Sequence, residues 1–279
     1  MDLVHLLSAT CGGNVTFDGN ATVTARGVCW STKPNPTISD SKTTDGSGTG
    51  SYTSNLSNLA SQTTYYVRAY ATNEKGTSYG EEKSFTTRAS TGTENGYGWV
   101  DLGLSVKWAT CNVGSTTPEE YGDYFAWGET STKETYDVDN CPTYRLSKSE
   151  LQSQGYIDSE GNLNPQYDAA TANWGGNWRM PTKAEQEELL NNCTWTWTTY
   201  NGVKGYNVEG PNGNSIFLPV AGIRNGSSLD YDGSYGYYWS STPLDYNDFY
   251  AYRLGFNSDN HSVYLSSRYY GHSVRPVVE

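Results

Sequence analysis

Residues 65–73, Tyr-Tyr-Val-Arg-Ala-Tyr-Ala-Thr-Asn, alternate with the two-residue period of a half-buried strand. The alternation predicts Tyr65, Val67, Ala69 and Ala71 on an inward face and Tyr66, Arg68 and Tyr70 on an outward one. Residues 21–30 have strand composition. They are followed by the breaker Lys33-Pro34-Asn35-Pro36 and by a Gly/Ser-rich turn at 45–50. Glu74-Lys75-Gly76 predicts a hairpin, and 79–87 closes the sheet. Nothing in 1–88 has a helical period, so this region is predicted to be all-β.

Past residue 97 the pattern changes. Thr117-Pro118-Glu119-Glu120 and Thr182-Lys183-Ala184-Glu185 each place a capping Thr three residues before a Glu. The first predicts a short helix into 121–127, weakened by Gly122; the second predicts a helix through Leu190. On the second, Ala184, Leu189 and Cys193 are expected to face the core and Glu185, Glu187 and Glu188 the solvent. Strands are predicted at 202–208, 215–220, 237–241, 251–256 and 273–277, which makes this region α+β. Residues 89–96, small and polar, are predicted to be a linker. Eight of the nine tryptophans lie beyond it.

The chain has 279 residues and a formal charge of −12, which disfavours a polyanion such as nucleic acid as partner. No apolar run approaches the ~18 residues of a membrane span. Five cysteines (Cys11, Cys29, Cys111, Cys141, Cys193) form no C-x-x-C, and the three histidines (His5, His261, His272) are too few for a His-rich metal centre. Met1-Asp2-Leu3 does not open a signal peptide. The start is read as lying inside a β domain from which a leader has been removed. Low Lys with abundant Asn, Thr, Ser, Gly and Tyr points to an extracellular or cell-surface protein, with a phage particle as the alternative.

Catalytic chemistry finds little support. No Gly-x-Ser-x-Gly or His-Glu-x-x-His occurs, and no Ser/His/Asp set has recognisable spacing. Glu119/Glu120 and Glu187/Glu188 are read as helix-end or solvated carboxylates. Residues 137–140 and 230–233 carry oxygen ligands without EF-hand spacing and are read as turns. Trp195 and Trp197 alternate with threonines, which puts both on one face of a strand, as core or as a platform for sugar rings. The expectation is a protein without enzymatic activity, metal or cofactor.

Residues 59–73 and 84–87 resemble the corner and last strands of a fibronectin type III domain, a fold that commonly serves as a spacer. Residues 100–110, 121–129, 177–182, 216–219, 238–242 and 273–277 resemble, in order, the Fibrobacter succinogenes major paralogous domain family. That resemblance implies a C-type-lectin-like fold. The expected fold class is therefore multidomain: an all-β Ig/fibronectin III-like sandwich (1–88), a linker (89–96) and an α+β C-type-lectin-like domain (97–279). None of the calcium triplets of lectins of that fold occurs, and the cysteine pattern of the formylglycine-generating enzymes that share it is not found. Cys111 and Cys193 lie in family-like segments and are a candidate disulfide pair.

The last segment is also similar to the variable proteins of diversity-generating retroelements, in which substitution at adenine-containing codons diversifies a ligand-binding face. Residues 245–250, 257–264 and 266–272 have that composition. The predicted ligand-binding residues are Tyr246, Asn247, Phe249, Tyr250, Arg253, Asn257, Asp259, His261, Tyr264, Tyr269, Tyr270 and His272, with Ala251, Leu254 and Phe256 holding the scaffold. Tyrosine supplies wide contact area at low entropic cost, and Asn, Ser and Asp supply adaptable hydrogen bonds. The expected partner is a protein or glycan on another cell or host surface, bound by an adhesin or receptor-binding protein. The alternatives are a structural subunit of a surface fibre and a carbohydrate-active enzyme.

Overall fold

The computed structural model describes residues 3–4, 9–57, 59–60, 62–87 and 90–279, and the chain divides into two compact units, Met1–Ser90 and Thr91–Glu279. His5, Ser61 and the expected boundary at 88–89 lie outside the described residues.

The first unit is built from β1 (Leu3–Val4), β2 (Ala9–Val15), β3 (Ala25–Ser31), β4 (Ser41–Lys42), β5 (Gly50–Leu56), β6 (Thr64–Asn73), β7 (Gly76–Tyr79) and β8 (Lys83–Thr86). One sheet runs β1-β2-β5 and the other β4-β3-β6-β7, with β8 also paired to β6. Ala9, Cys11, Val28, Leu56, Leu59, Val67 and Phe85 form its core. The expected hairpin is present, with Asn73 opposite Gly76. Tyr65 closes the corner before β6, its hydroxyl accepting the Ala60 N–H at 2.9 Å. Tyr70 departs from the expected outward face. It is buried because residues 43–44 cover that side, and its hydroxyl donates to the Thr43 carbonyl at 2.7 Å.

The second unit opens with β9 (Thr91–Glu94), β10 (Tyr97–Val100) and β11 (Lys107–Ala109). Three helices follow: α1 (Lys148–Ser153), α2 (Ala169–Trp174) and α3 (Lys183–Asn192). After them come β12 (Thr194–Tyr200), β13 (Val203–Glu209), β14 (Ser215–Pro219), β15 (Ile223–Asn225), β16 (Ser228–Asp230), β17 (Gly236–Pro243), β18 (Tyr250–Phe256), β19 (His261–Ser267) and β20 (Val277–Val278). The strands form four small sheets, β20-β11-β10-β9, β12-β13-β14, β15-β16 and β17-β18-β19. The last strand thus pairs beside the first ones. The expected linker is corrected here: Thr91–Glu94 pairs with Tyr97–Val100 and belongs to the second unit. No described helix is long and apolar enough to cross a membrane.

Tryptophans build the core of the second unit. Trp127, Trp174, Trp178 and Trp239 lie in one cluster and Trp108 in a second, with Trp99, Trp195 and Trp197 packed alongside. Trp195 and Trp197 share a face, both edge-on to Tyr206.

The helix at Thr182 forms with both halves of its capping box. Its faces differ from expectation. Ala184 is exposed, and the buried positions are Leu189 and Gln186, whose amide donates to the Tyr238 and Trp239 carbonyls at 3.1 Å. Glu185 is no solvent residue, because it takes Arg179 through two hydrogen bonds of 2.6 and 2.8 Å.

The helix expected after Thr117 does not form. Glu120 still accepts the Thr116 and Thr117 N–H groups, at 2.8 and 3.2 Å. The chain then leaves through Gly122 at φ +71°, a conformation that favours glycine and stops a helix. Tyr124, Phe125, Ala126 and Trp127 are all buried, and four consecutive buried residues need an extended segment covered on both sides. The candidate disulfide is absent as well. Cys111 is a buried thiol donating to the Ser115 carbonyl, and Cys193 is a separate half-buried thiol.

Candidate functional site

Strand β18 supplies the site. Its side chains alternate, so Leu254 and Phe256 enter the core while Arg253 and Gly255 face the other side of the sheet. Across the ladder, Tyr237 of β17 lies opposite Gly255, and Tyr264 of β19 lies opposite Arg253. The Arg253 guanidinium lies over both rings, 4.3 Å from the Tyr237 centroid and 5.2 Å from that of Tyr264. Gly255 makes room for it, since a Cβ there would sit 1.9 Å from Arg253 Nη1. Burial pulls the Arg253 pKa down to about 10, against small opposing contributions from the two tyrosines.

Two clefts meet at this arginine. The larger, about 440 Å³, is lined by Asp230, Tyr231, Tyr237, Tyr250, Arg253 and Tyr270, with Ser266, Ser267 and Asn225 adding polar groups. The smaller, about 120 Å³, lies among Tyr235, Tyr237, Arg253, Asn257, Asn260 and Tyr264. Asn260 Nδ2 donates to the Tyr264 hydroxyl at 2.9 Å and holds that ring at the rim. Tyr237 continues the stack, nearly parallel to Tyr235 and to His272.

The structure therefore brings together Tyr250, Arg253, Asn257, Tyr264 and Tyr270 of the predicted set. Tyr246 stands outside the clefts on the preceding turn, 84% exposed. Asn247 and Phe249 belong to the same turn, where Asn247 Oδ1 accepts the Phe249 N–H and Phe249 leans on Tyr144. Asp259 is exposed on the β18–β19 turn, which Asn257 Oδ1 organises by accepting the Asp259 and Asn260 N–H groups.

Three predicted contacts are placed elsewhere. His272 is fully buried, bonded to Ser266 Oγ at 2.8 Å and packed on Trp239, and burial holds its pKa well below the usual imidazole value. His261 lies opposite Phe256, on the core-facing side of the sheet, stacked on Trp195 at 4.8 Å. Tyr269 packs edge-on against Tyr144 and beside Tyr270.

Sequence reading missed Tyr231, Tyr235 and Tyr237. The density of tyrosine in 231–238 was the available signal. Asp137 does form the expected turn, accepting the Asp139 and Asn140 N–H groups. No cluster of metal-ligating side chains is present among the described residues. A third cleft of about 510 Å³ lies against β12–β14 and is walled by Val100, Thr196, Thr198, Tyr200, Ile216 and Phe217, with no charged residue in its lining.

Residues 194–277 match a domain family of unknown function, DUF8237, over a stretch that contains β12 to β19 and hence the whole arginine cleft. No curated protein matches the chain. Among solved structures it is similar to the twitchin kinase region from C. elegans (Fn31-NL-kin-CRD-Ig26), at 12% identity and a TM-score of 0.25, over 80% of this chain and 30% of that one. The chain spans under a third of that protein's length.

Proposed function

We propose that the chain is an extracellular or cell-surface ligand-binding protein, an adhesin or receptor-binding protein, in which a fibronectin III-like spacer precedes a C-type-lectin-like head. The observation that carries the binding role is the tyrosine-lined cleft centred on Arg253. Rigid aromatic side chains rimmed by Asn and Ser groups make a recognition surface rather than a reaction centre. The Tyr65 corner supports the reading of the first unit, since sandwiches of that class carry a tyrosine whose hydroxyl bonds back to the upstream backbone. In the head, Ala251, Leu254 and Phe256 are buried while Tyr246, Tyr250 and Tyr264 are exposed. A diversified face on a fixed scaffold has that distribution. The bearer is a cell surface or a phage particle.

The test is a screen of the full chain against glycan and surface-protein panels, followed by the combined variant Tyr246→Ala, Tyr250→Ala, Tyr264→Ala. Losing even one such anchor costs about 2 kcal/mol, so binding should fall by at least about thirtyfold while the melting temperature holds. Tyr269 is left intact because it packs against Tyr144. Unchanged affinity in the triple variant would place the ligand elsewhere and sink the assignment.

A further inference from the structure

Of the six arginines in the head, Arg253, Arg268 and Arg275 are satisfied very differently. Arg268 donates from Nε to the Tyr250 carbonyl and from Nη1 to the Thr143 and Leu146 carbonyls, at 2.8–3.1 Å. Arg275 donates to Asn112 Oδ1 and to the Ala109 and Thr110 carbonyls, at 2.8–3.2 Å. Both lock backbone loops. Each of the two leaves only Nη2 without a partner, whereas the Nε and Nη1 of Arg253 are both covered and have no hydrogen-bond partner. Asp230, the one acidic residue lining the cleft, makes no ion pair with it. Covering a charge without a partner is costly, and a bound oxyanion removes that cost. Arg253 lines both clefts, so a group that enters either one meets this side chain.

We propose that Arg253 is the specificity residue of this cleft and selects a carboxylate carried on a sugar ring, a uronic acid or a related acidic sugar. The inference rests on the binding role argued above. A sugar fits because tyrosine faces stack on its C–H surfaces, while Ser266, Ser267, Asn225 and Asn257 exchange hydrogen bonds with its hydroxyls. A cleft of about 440 Å³ is the size of a small-ligand site. It also lies over the face of the sheet, whereas an extended peptide docks by adding a strand to an edge.

The probes are tetragalacturonate, its methyl ester and an acetylated tetra-aspartate peptide. Each is titrated into the full chain by calorimetry and by the Arg253 Nε–Hε NMR signal. The acid should bind at least about tenfold more tightly than the ester, the margin of one charge-assisted hydrogen bond, and should move the Arg253 signal in a saturable way. Arg253→Gln should abolish the difference between acid and ester while the chain stays folded, even though it gives up the contacts to the Tyr237 and Tyr264 rings. Gly255→Ala keeps the charge but puts a Cβ into the guanidinium, and should abolish the difference too. Equal binding of acid and ester, no binding of either, or a discrimination that survives Arg253→Gln overturns the proposal. A tetra-aspartate that binds more tightly than the sugar acid overturns the sugar assignment. If another ligand from the panels still depends on Tyr246, Tyr250 and Tyr264, only this specificity has failed. If none does, the binding role has failed with it.

Discussion

His272 shows how far a residue's neighbours decide its role. In sequence it sits among tyrosines and serines, a composition that suits a contact surface. In the fold its imidazole is fully buried between Trp239 and Tyr237, and desolvation and the charge of Arg253 both hold it neutral. The unfolded chain binds a proton there near pH 6.5, whereas the folded chain does not. A depressed imidazole pKa therefore contributes stability that is complete above that pH and is lost as the pH falls through it. Between pH 7.5 and 5.5 the loss is on the order of 1 kcal/mol, set by proton uptake in the unfolded chain. Denaturant titrations of wild type and His272→Phe at the two pH values should show the variant losing that much less. Equal losses would mean that the folded imidazole protonates. Arg253 was legible as a candidate from its place among the tyrosines, but its lack of a partner was not. That property depends on which carbonyls and carboxylates the fold fails to bring near it.

Among the elements, end signals were more legible than lengths. Ser147 and Glu150 form a complete capping box at α1, as Thr182 and Glu185 do at α3. Only the second was read from sequence, because α1 is six residues long and offers no apolar stripe. Glu120 meets the backbone amides of Thr116 and Thr117 as a capping carboxylate would, yet Gly122 and the buried run behind it turn the chain away. A local signal sets which hydrogen bonds form, and the tertiary burial of 124–127 decides whether a helix follows. The two working boxes should differ in weight. Ser147→Ala should cost about 1 kcal/mol, an ordinary cap on an exposed helix end. Glu185→Ala should cost more, on the order of 2–3 kcal/mol, since it removes a cap and leaves the half-buried Arg179 without its fork partner. Chemical denaturation of both variants measures the order; a larger loss for Ser147→Ala would contradict it.

At the scale of the whole molecule, the two units meet at Ser90 and Thr91, and the residues just past that point carry structure. Small polar residues at 89–96 read as a linker because nothing in their sequence shows what they touch. In the fold, Gly92 lies against the Trp99 ring, and the Glu94 carbonyl accepts the Trp178 indole N–H at 2.7 Å. The Glu94 carboxylate accepts the Asn177 backbone and amide N–H groups at 3.1 Å, and Asn95 donates to the Trp174 carbonyl. Strand β9 and the turn after it thus satisfy the end of α2 and the turn before Trp178, at one border of the tryptophan core. Each of these bonds contributes about 1 kcal/mol net, and a buried indole N–H left without a partner costs about 1–3 kcal/mol more. A head beginning at residue 97 should therefore be several kcal/mol less stable than one beginning at residue 91. The 91–279 head should therefore melt at a higher temperature than the 97–279 head. Calorimetry of the two heads reads this directly. Equal melting of the two heads would return residues 91–96 to the status of a linker.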